Sequence, residues 1–291
     1  MVFQKKETRG KSAGSRSGGW NPSLALESKE ERERHQQALK TKAGSALTKI
    51  QQKMAETTLK DDQLDCIRKA VELVFGFQAK PDQVEMIWSL LVLKEDRILV
   101  AKTGYGKSVI PQLLPLLIKD SIVPTLLLLN ALGAEQSMDI AALPLAKPIW
   151  LHAENNDNLT LKKIKAGLYT HSLLSPEIAC SLKFYDQVLS GTYFRKRLKA
   201  VVIDEIHLVV DWGRAFRKYS LLKHFRNRLG RKPWFGCTAT LDPDSFHELC
   251  QFTGFDKNVP IIRTSIDRPE IAYIRKVIPP TRRHDSAIST F

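Results

Sequence analysis

Two short segments carry side chains that can do chemistry together. Ala101-Lys102-Thr103-Gly104-Tyr105-Gly106-Lys107-Ser108 follows the apolar run Arg97-Ile98-Leu99-Val100, and Asp204-Glu205-Ile206-His207 follows Ala200-Val201-Val202-Ile203. Each lies where a buried strand would end, the place where open α/β sheets take their ligands. Gly104 and Gly106 permit a tight turn whose successive N–H groups point at phosphate oxygens. Lys107 reaches the β- and γ-phosphates as a mobile point charge, and Ser108 offers its hydroxyl to Mg²⁺ where a helix begins. Ala101 stands where the G-x-x-x-x-G-K-[ST] pattern has its first glycine. In the second segment Asp204 can hold Mg²⁺ through water, while Glu205 can orient and deprotonate an attacking water. A glycine-rich turn alone binds nothing, and a lone Asp-Glu pair is usually a solvated turn; together they describe a nucleotide triphosphatase site. Lys107, Asp204 and Glu205 are its catalytic candidates. Thr103, Gly104, Tyr105, Gly106, Lys107 and Ser108 form its phosphate loop, and Ser108 with Asp204 its metal ligands.

The elements that must position these residues can be read from apolar spacing. Short apolar runs at Ile98, Leu126, Ile149, Val201, Phe235 and Ile261 predict strands. Lys107 to Leu117, Ala134 to Ala142, Tyr219 to Leu229 and Ser245 to Phe252 predict helices between them, and Leu64 to Phe75 and Val84 to Leu91 recur at helical spacing. Such alternation implies a parallel sheet with helices on both faces. Before it, residues 1–58 are expected to be a basic N-terminal extension. About residues 1–23 have the Gly/Ser-rich composition of a disordered arm, and residues 27–56 make a solvent-exposed helix broken near Gly44-Ser45.

The run from Asp204 to Tyr219, DEIHLVVDWGRAFRKY, resembles the RecQ-family DNA helicase run D-E-A-H-C-x-S-x-W-G-H-D-F-R-x-x-Y. Val210-Asp211 and Arg214 depart from it. Phe75 to Gln83 looks like a shortened form of the family's adenine-reading motif, with Gln83 as the matching glutamine. Asn130 to Gln136 and Ser175-Pro176-Glu177 are similar to its DNA-contacting segments, Thr238-Ala239-Thr240 to its T-A-T motif, and Asp267-Arg268-Pro269 to the D-R-P that closes its first lobe. The resemblance covers about residues 60 to 275 and implies a P-loop RecA-like ATP-binding domain over 59–270, with 271–291 as a linker or the start of a second lobe.

The activity implied by this resemblance is that of an ATP-dependent 3′ to 5′ DNA helicase of superfamily 2, with ATP and Mg²⁺ as cofactors and Gln83 reading adenine. Trp212, Phe216, Arg217 and Tyr219 fall on the aromatic-rich loop that couples single-stranded DNA to hydrolysis, and His207, Thr238 and Thr240 on the relay between them. The expected partners are single-stranded or partially duplex DNA and a second helicase lobe in trans. An arginine finger from such a lobe contributes about 10³ to 10⁵ in kcat, so the lobe alone is expected to bind nucleotide and DNA weakly without unwinding duplexes. Two other readings stay open: a DEAD-box-like RNA helicase lobe, and a non-catalytic nucleic-acid-binding remnant of a helicase.

Composition agrees with an anionic partner. The 291 residues carry a formal net charge of +14, and phosphate neutralisation gives salt-sensitive, sequence-independent affinity. Arg195-Lys196-Arg197 with Lys199, and Lys223, Arg226, Arg228, Arg231 and Lys232, form two basic groups. No apolar run reaches the ~18 residues that a membrane span needs. The polar, basic start lacks the apolar stretch of a secretory signal, and an intracellular, nuclear location is the expectation. Cys66, Cys180, Cys237 and Cys250 show no C-x-x-C spacing, which argues for reduced thiols rather than a zinc site.

Overall fold

A computed structural model describes residues 29–213, 221–265, 271, 272 and 274 of the chain. Arg34–Asp267 form one compact unit. Seven strands make up the sheet: β1 (Arg97–Val100), β2 (Val123–Leu127), β3 (Pro148–Leu151), β4 (His171–Leu174), β5 (Val201–Asp204), β6 (Trp234–Thr238) and β7 (Ile261–Arg263). They run β3-β4-β2-β5-β6-β1-β7, and every pairing is parallel. Both faces are apolar because successive side chains of a strand point to opposite sides. Ile98 and Val100 enter one core with Leu126, Val201 and Ile203; Leu99 enters the other with Val123, Val202 and Phe235.

Helices cover the two faces. α1 (Lys29–Glu56), α2 (Lys60–Phe75) and α3 (Pro81–Trp88) precede β1, and α4 (Val109–Leu113) follows the phosphate loop. α2 buries Ile67, Ala70 and Val71 and stops at Gly76, whose φ of 74° suits a residue without Cβ and lets its N–H bond to the Glu72 carbonyl. α4 is shorter than the helix expected over 107–117, because the next turn, Leu114–Leu116, tightens to a 3₁₀ turn around Pro115.

Two sequence expectations need correction. The helix before the lobe is neither broken at Gly44-Ser45 nor fully solvated: α1 runs unbroken from Lys29 to Glu56. Leu47 is fully buried and Met54 nearly so, and Gln51 donates to the Leu116 carbonyl at 2.9 Å. Gly44 is tolerated mid-helix because Leu145 packs over it, so close that a Cβ there would lie 3.2 Å from the Leu145 side chain. The second correction is β4, which the apolar pattern missed because it opens on His171 and Ser172.

His171 is polar yet enclosed, and a chain of hydrogen bonds explains how. The Lys147 amide donates to Thr170 Oγ1 at 2.8 Å. Thr170 Oγ1 lies 2.8 Å from His171 Nδ1, and Nε2 of the ring lies 2.9 Å from the Gln112 carbonyl. Since a carbonyl only accepts, Nε2 carries the hydrogen and Nδ1 accepts from the threonine hydroxyl. A proton on Nδ1 would face a donor, and burial opposes the charge as well; desolvation brings the imidazole from 6.5 down to about 4. The unfolded chain therefore takes up a proton that the folded one refuses between these two values. Stability is complete above pH 6.5 and declines as pH falls toward 4, by on the order of 3 kcal/mol. Denaturant titrations at pH 7 and pH 4.5 check this, and the difference should shrink in His171→Gln.

Candidate active site

The phosphate loop, the acidic box and the T-A-T segment meet at one edge of the sheet because their strands are neighbours. β6 lies between β5 and β1, with Asp204 opposite Cys237 and Val100 opposite Thr238. All three segments leave the C-terminal ends of these parallel strands. The Ala101 amide donates to the Thr238 carbonyl at 3.0 Å, and the Ile206 amide to the Cys237 carbonyl at 3.0 Å, so β6 clamps both loops.

In the phosphate loop Gly104 and Gly106 take φ of 81° and 95°, a region that costs an L-residue roughly 1–2 kcal/mol. Gly106 is constrained twice, since a Cβ there would lie 2.8 Å from Gln83 Nε2. Thr103, Gly104 and Ser108 are exposed, and Ser108 precedes α4 with no side-chain cap to hold its hydroxyl. The Lys107 ammonium folds back on its own loop, donating to the Ala101 carbonyl at 2.8 Å.

α3 braces this loop from the side. Gln83 Oε1 accepts from the Lys80 amide at 2.9 Å, and Nε2 donates to the Gly106 carbonyl at 3.0 Å. Gln83 is 1% exposed, so in this structure its amide ties α3 to the phosphate loop. Tyr105 donates its hydroxyl to Asp82 at 2.9 Å, and Lys80 lies over the Tyr105 ring at 3.9 Å. Burial and the Asp82 carboxylate push the Tyr105 phenol well up, which keeps it protonated and donating.

The acidic box turns sharply after β5. Glu205 has φ of 49°, a left-handed conformation uncommon outside glycine and asparagine. It ends the strand and swings the chain into the helix Leu208–Gly213. Asp204 Oδ1 accepts from the Glu205 amide at 3.0 Å and lies 3.3 Å from Cys237 Sγ; Oδ2 accepts from Gln136 Nε2 at 3.2 Å. Burial holds the Cys237 thiol far above its ordinary range, with the Asp204 charge adding to the effect. The thiol thus stays a donor toward the carboxylate.

Glu205, His207, Thr238 and Thr240 form a relay. His207 Nδ1 lies 2.7 Å from Thr238 Oγ1 and 3.4 Å from Glu205 Oε2. Thr238 Oγ1 donates to the Thr240 carbonyl and accepts from the Thr240 amide. With the Thr238 proton so directed, Nδ1 of His207 carries its own hydrogen and serves both the threonine and the glutamate. The His207 hydrogen bond, and secondarily the Lys107 charge, hold the Glu205 carboxyl below its ordinary value of 4.5. Thr238 is buried and Thr240 exposed, so the relay runs from the acidic box to the surface.

Some of the expected DNA-coupling residues fall elsewhere. Phe216, Arg217 and Tyr219 lie outside the described residues, as do Asp267, Arg268 and Pro269; for Trp212 only the backbone, in the helix Leu208–Gly213, is described. The backbone of Gly213 passes the Phe252 ring so closely that a Cβ would fall 2.8 Å from it. Ser175 accepts from the Ile178 amide at 3.4 Å as a helix cap. Sequence reasoning missed Cys237 at Asp204 and Asp82 at Tyr105, and it placed Gln136 only in a segment resembling a DNA contact, whereas its amide donates to Asp204.

Comparison with known proteins agrees with this geometry. The DEAD/DEAH box helicase family matches residues 80–249. The chain is 31% identical over 208 residues to the probable ATP-dependent DNA helicase RecS of Bacillus subtilis, covering 68% of this chain and 39% of that protein. It is 27% identical over 217 residues to ATP-dependent DNA helicase Q5 of Mus musculus, covering 71% of this chain and 22% of that protein. The chain therefore spans well under half the length of these relatives. Among solved structures, the DUF1998 helicase MrfA bound to DNA superposes with a TM-score of 0.53 at 18% identity, over 68% of this chain and 28% of that one, a likeness of fold. The chain belongs to the DEAD/DEAH box helicase family, and its sheet and loops form a RecQ-like superfamily 2 helicase lobe.

Proposed function

We propose that this lobe binds Mg-ATP at the C-terminal ends of β1, β6 and β5 and couples its hydrolysis to movement along DNA in the 3′ to 5′ direction. The residues present fit such a ligand: left-handed glycines free the loop amides, Ser108 has an uncommitted hydroxyl, and Asp204 has two lone-pair-rich oxygens fixed by three donors. Mg²⁺ prefers one or two carboxylates together with phosphate oxygens and water. Ser108 and Asp204 would hold it, and the ion would neutralise charge developing on the transferred phosphoryl group. Lys107 exchanges the Ala101 carbonyl for phosphate oxygens. Glu205 accepts the proton of the attacking water, and His207 fixes the direction of its carboxylate.

Gln83 sits behind the loop, so adenine recognition requires it to release Gly106 or to share one lone pair with the base. The relay through Thr238 to Thr240 would report the state of Glu205 to DNA, with Trp212, Phe216, Arg217 and Tyr219 stacking on bases. A second lobe would complete the cleft, and unwinding belongs to that larger assembly. ATP, Mg²⁺, single-stranded or partially duplex DNA and a nuclear location are the corresponding proposals for ligands, partner and place.

One observation carries this reading: the Glu205–His207–Thr238–Thr240 relay lies beside a phosphate loop held to the same strand, β6. ATP hydrolysis by the purified chain, measured with and without single-stranded DNA, should be stimulated by DNA. Lys107→Ala should lose that stimulation together with calorimetric heat of Mg-ATP binding. No heat from the well-folded wild-type chain would overturn the nucleotide reading, and equal stimulation by RNA would overturn the DNA preference.

A further inference from the structure

The two basic groups that are separate in sequence meet in space at the opposite edge of the sheet. Lys199 precedes β5, Lys232 precedes β6 and Lys94 lies in the turn into β1, so all three sit at the N-terminal ends of three adjacent parallel strands. Arg195 joins them by donating to the Arg228 carbonyl at 3.0 Å. Four-residue strands put this edge about 13 Å from the phosphate loop at 3.3 Å per residue. The neighbouring concavity, about 460 Å³, is lined by Lys94, Arg226, Arg231 and Lys232 among others.

Its acids are already engaged. Glu95 pairs with Arg97 at 2.6 Å, Asp96 with Arg226 and with the Trp234 amide, and Asp256 with the Asn258 amide. Among the described residues, no carboxylate pairs with Lys94, Arg231 or Lys232. Arg226 lies over the Trp234 and Phe255 rings, and its buried Nη1 has no acceptor. Burial and the charges of Lys199, Lys94 and Arg195 hold the Lys232 ammonium below its ordinary range, a repulsion that an anion would relieve.

The geometry points to a second nucleic-acid contact at this edge, in which Lys94, Lys199, Arg231 and Lys232 bind successive backbone phosphates. Three adjacent strands span roughly 10 Å, about three base-pair steps of duplex at a rise of 3.4 Å, so a stretch of backbone carrying several phosphates can lie along this row. A mononucleotide would leave cations at the ends of this row unmatched. The surface is independent of the nucleotide pocket and stands whether or not that pocket hydrolyses ATP.

The test is salt-dependent binding of the 291-residue chain to labelled duplex and single-stranded oligonucleotides, compared with Lys199→Gln/Arg231→Gln/Lys232→Gln. Lys94, at φ 57°, is left in place. The slope of log affinity against log salt should become shallower by about 0.9 for each duplex phosphate no longer neutralised, or about 0.7 for single strands. Lys107→Ala should keep the wild-type slope, and the triple variant should keep its Mg-ATP heat. An unchanged slope in the triple variant overturns the proposal; so does loss of polyglutamate binding with DNA binding intact, which would assign the surface to an acidic protein. In the wild type, duplex DNA should shield Lys94, Lys199 and Lys232 from acetic anhydride, and equal labelling with and without DNA would also overturn it.

Discussion

Glu205→Gln is expected to lower the DNA-stimulated ATPase rate by about 10²- to 10⁴-fold, the range that a positioned general base supplies. Glutamine keeps the size of the side chain and can still accept a hydrogen bond from His207, but it cannot take the proton of the attacking water. Affinity for Mg-ATP should change little, because the proposed binding contacts are those of Lys107, Ser108 and Asp204. The signature is a fall in kcat with KM nearly unchanged, and a fall of less than tenfold would remove Glu205 from the role of base. The pH profile adds a second check. A carboxyl held below 4.5 by His207 and Lys107 stays ionised as pH falls through that value, so the wild-type rate should show no acid limb from Glu205 above it.

Trp234→Ala is expected to destabilise the lobe by about 3–5 kcal/mol, the range for removing a large buried aromatic. Trp234 is fully buried at the start of β6, meets Phe225 edge-on at 5.7 Å and carries Arg226 over its ring. Its removal opens a cavity between the sheet and the helix Leu222–Leu229 that neither rigid element can close. Chemical denaturation should show a lower midpoint with an unchanged slope. A destabilisation below 1 kcal/mol would mean that this face of the core repacks freely.

Local pattern made much of the lobe legible. Six of the seven strands announce themselves as apolar runs because a parallel sheet covered on both faces has no polar side to interrupt them. The phosphate loop is readable for a related reason: left-handed turns and a lysine beside a hydroxyl need particular residues at fixed spacing. β4 escaped because its first two side chains are polar, and only the partners supplied by Lys147, Thr170 and Gln112 offset the cost of burying His171. α1 was legible as a helix, but its docking and its continuity through Gly44-Ser45 escaped because its few buried residues, Gly44, Leu47 and Met54, look sparse until Leu145 and the Leu116 carbonyl are placed against them.

The sequence by itself determined the chemistry on offer: a cationic phosphate loop, two adjacent carboxylates and a histidine, each at the end of a strand. Only the tertiary structure decided that β6 stands between β5 and β1, because strand order depends on how the connections cross the sheet and leaves no mark in local spacing. That order brings Thr238 to His207 and Cys237 to Asp204, while the pairing of β2 with β5 brings Gln136 to Asp204 and α3 sets Gln83 behind Gly106. The same parallel arrangement gathers Lys94, Lys199 and Lys232 at the other edge, although more than a hundred residues of chain separate the first from the second.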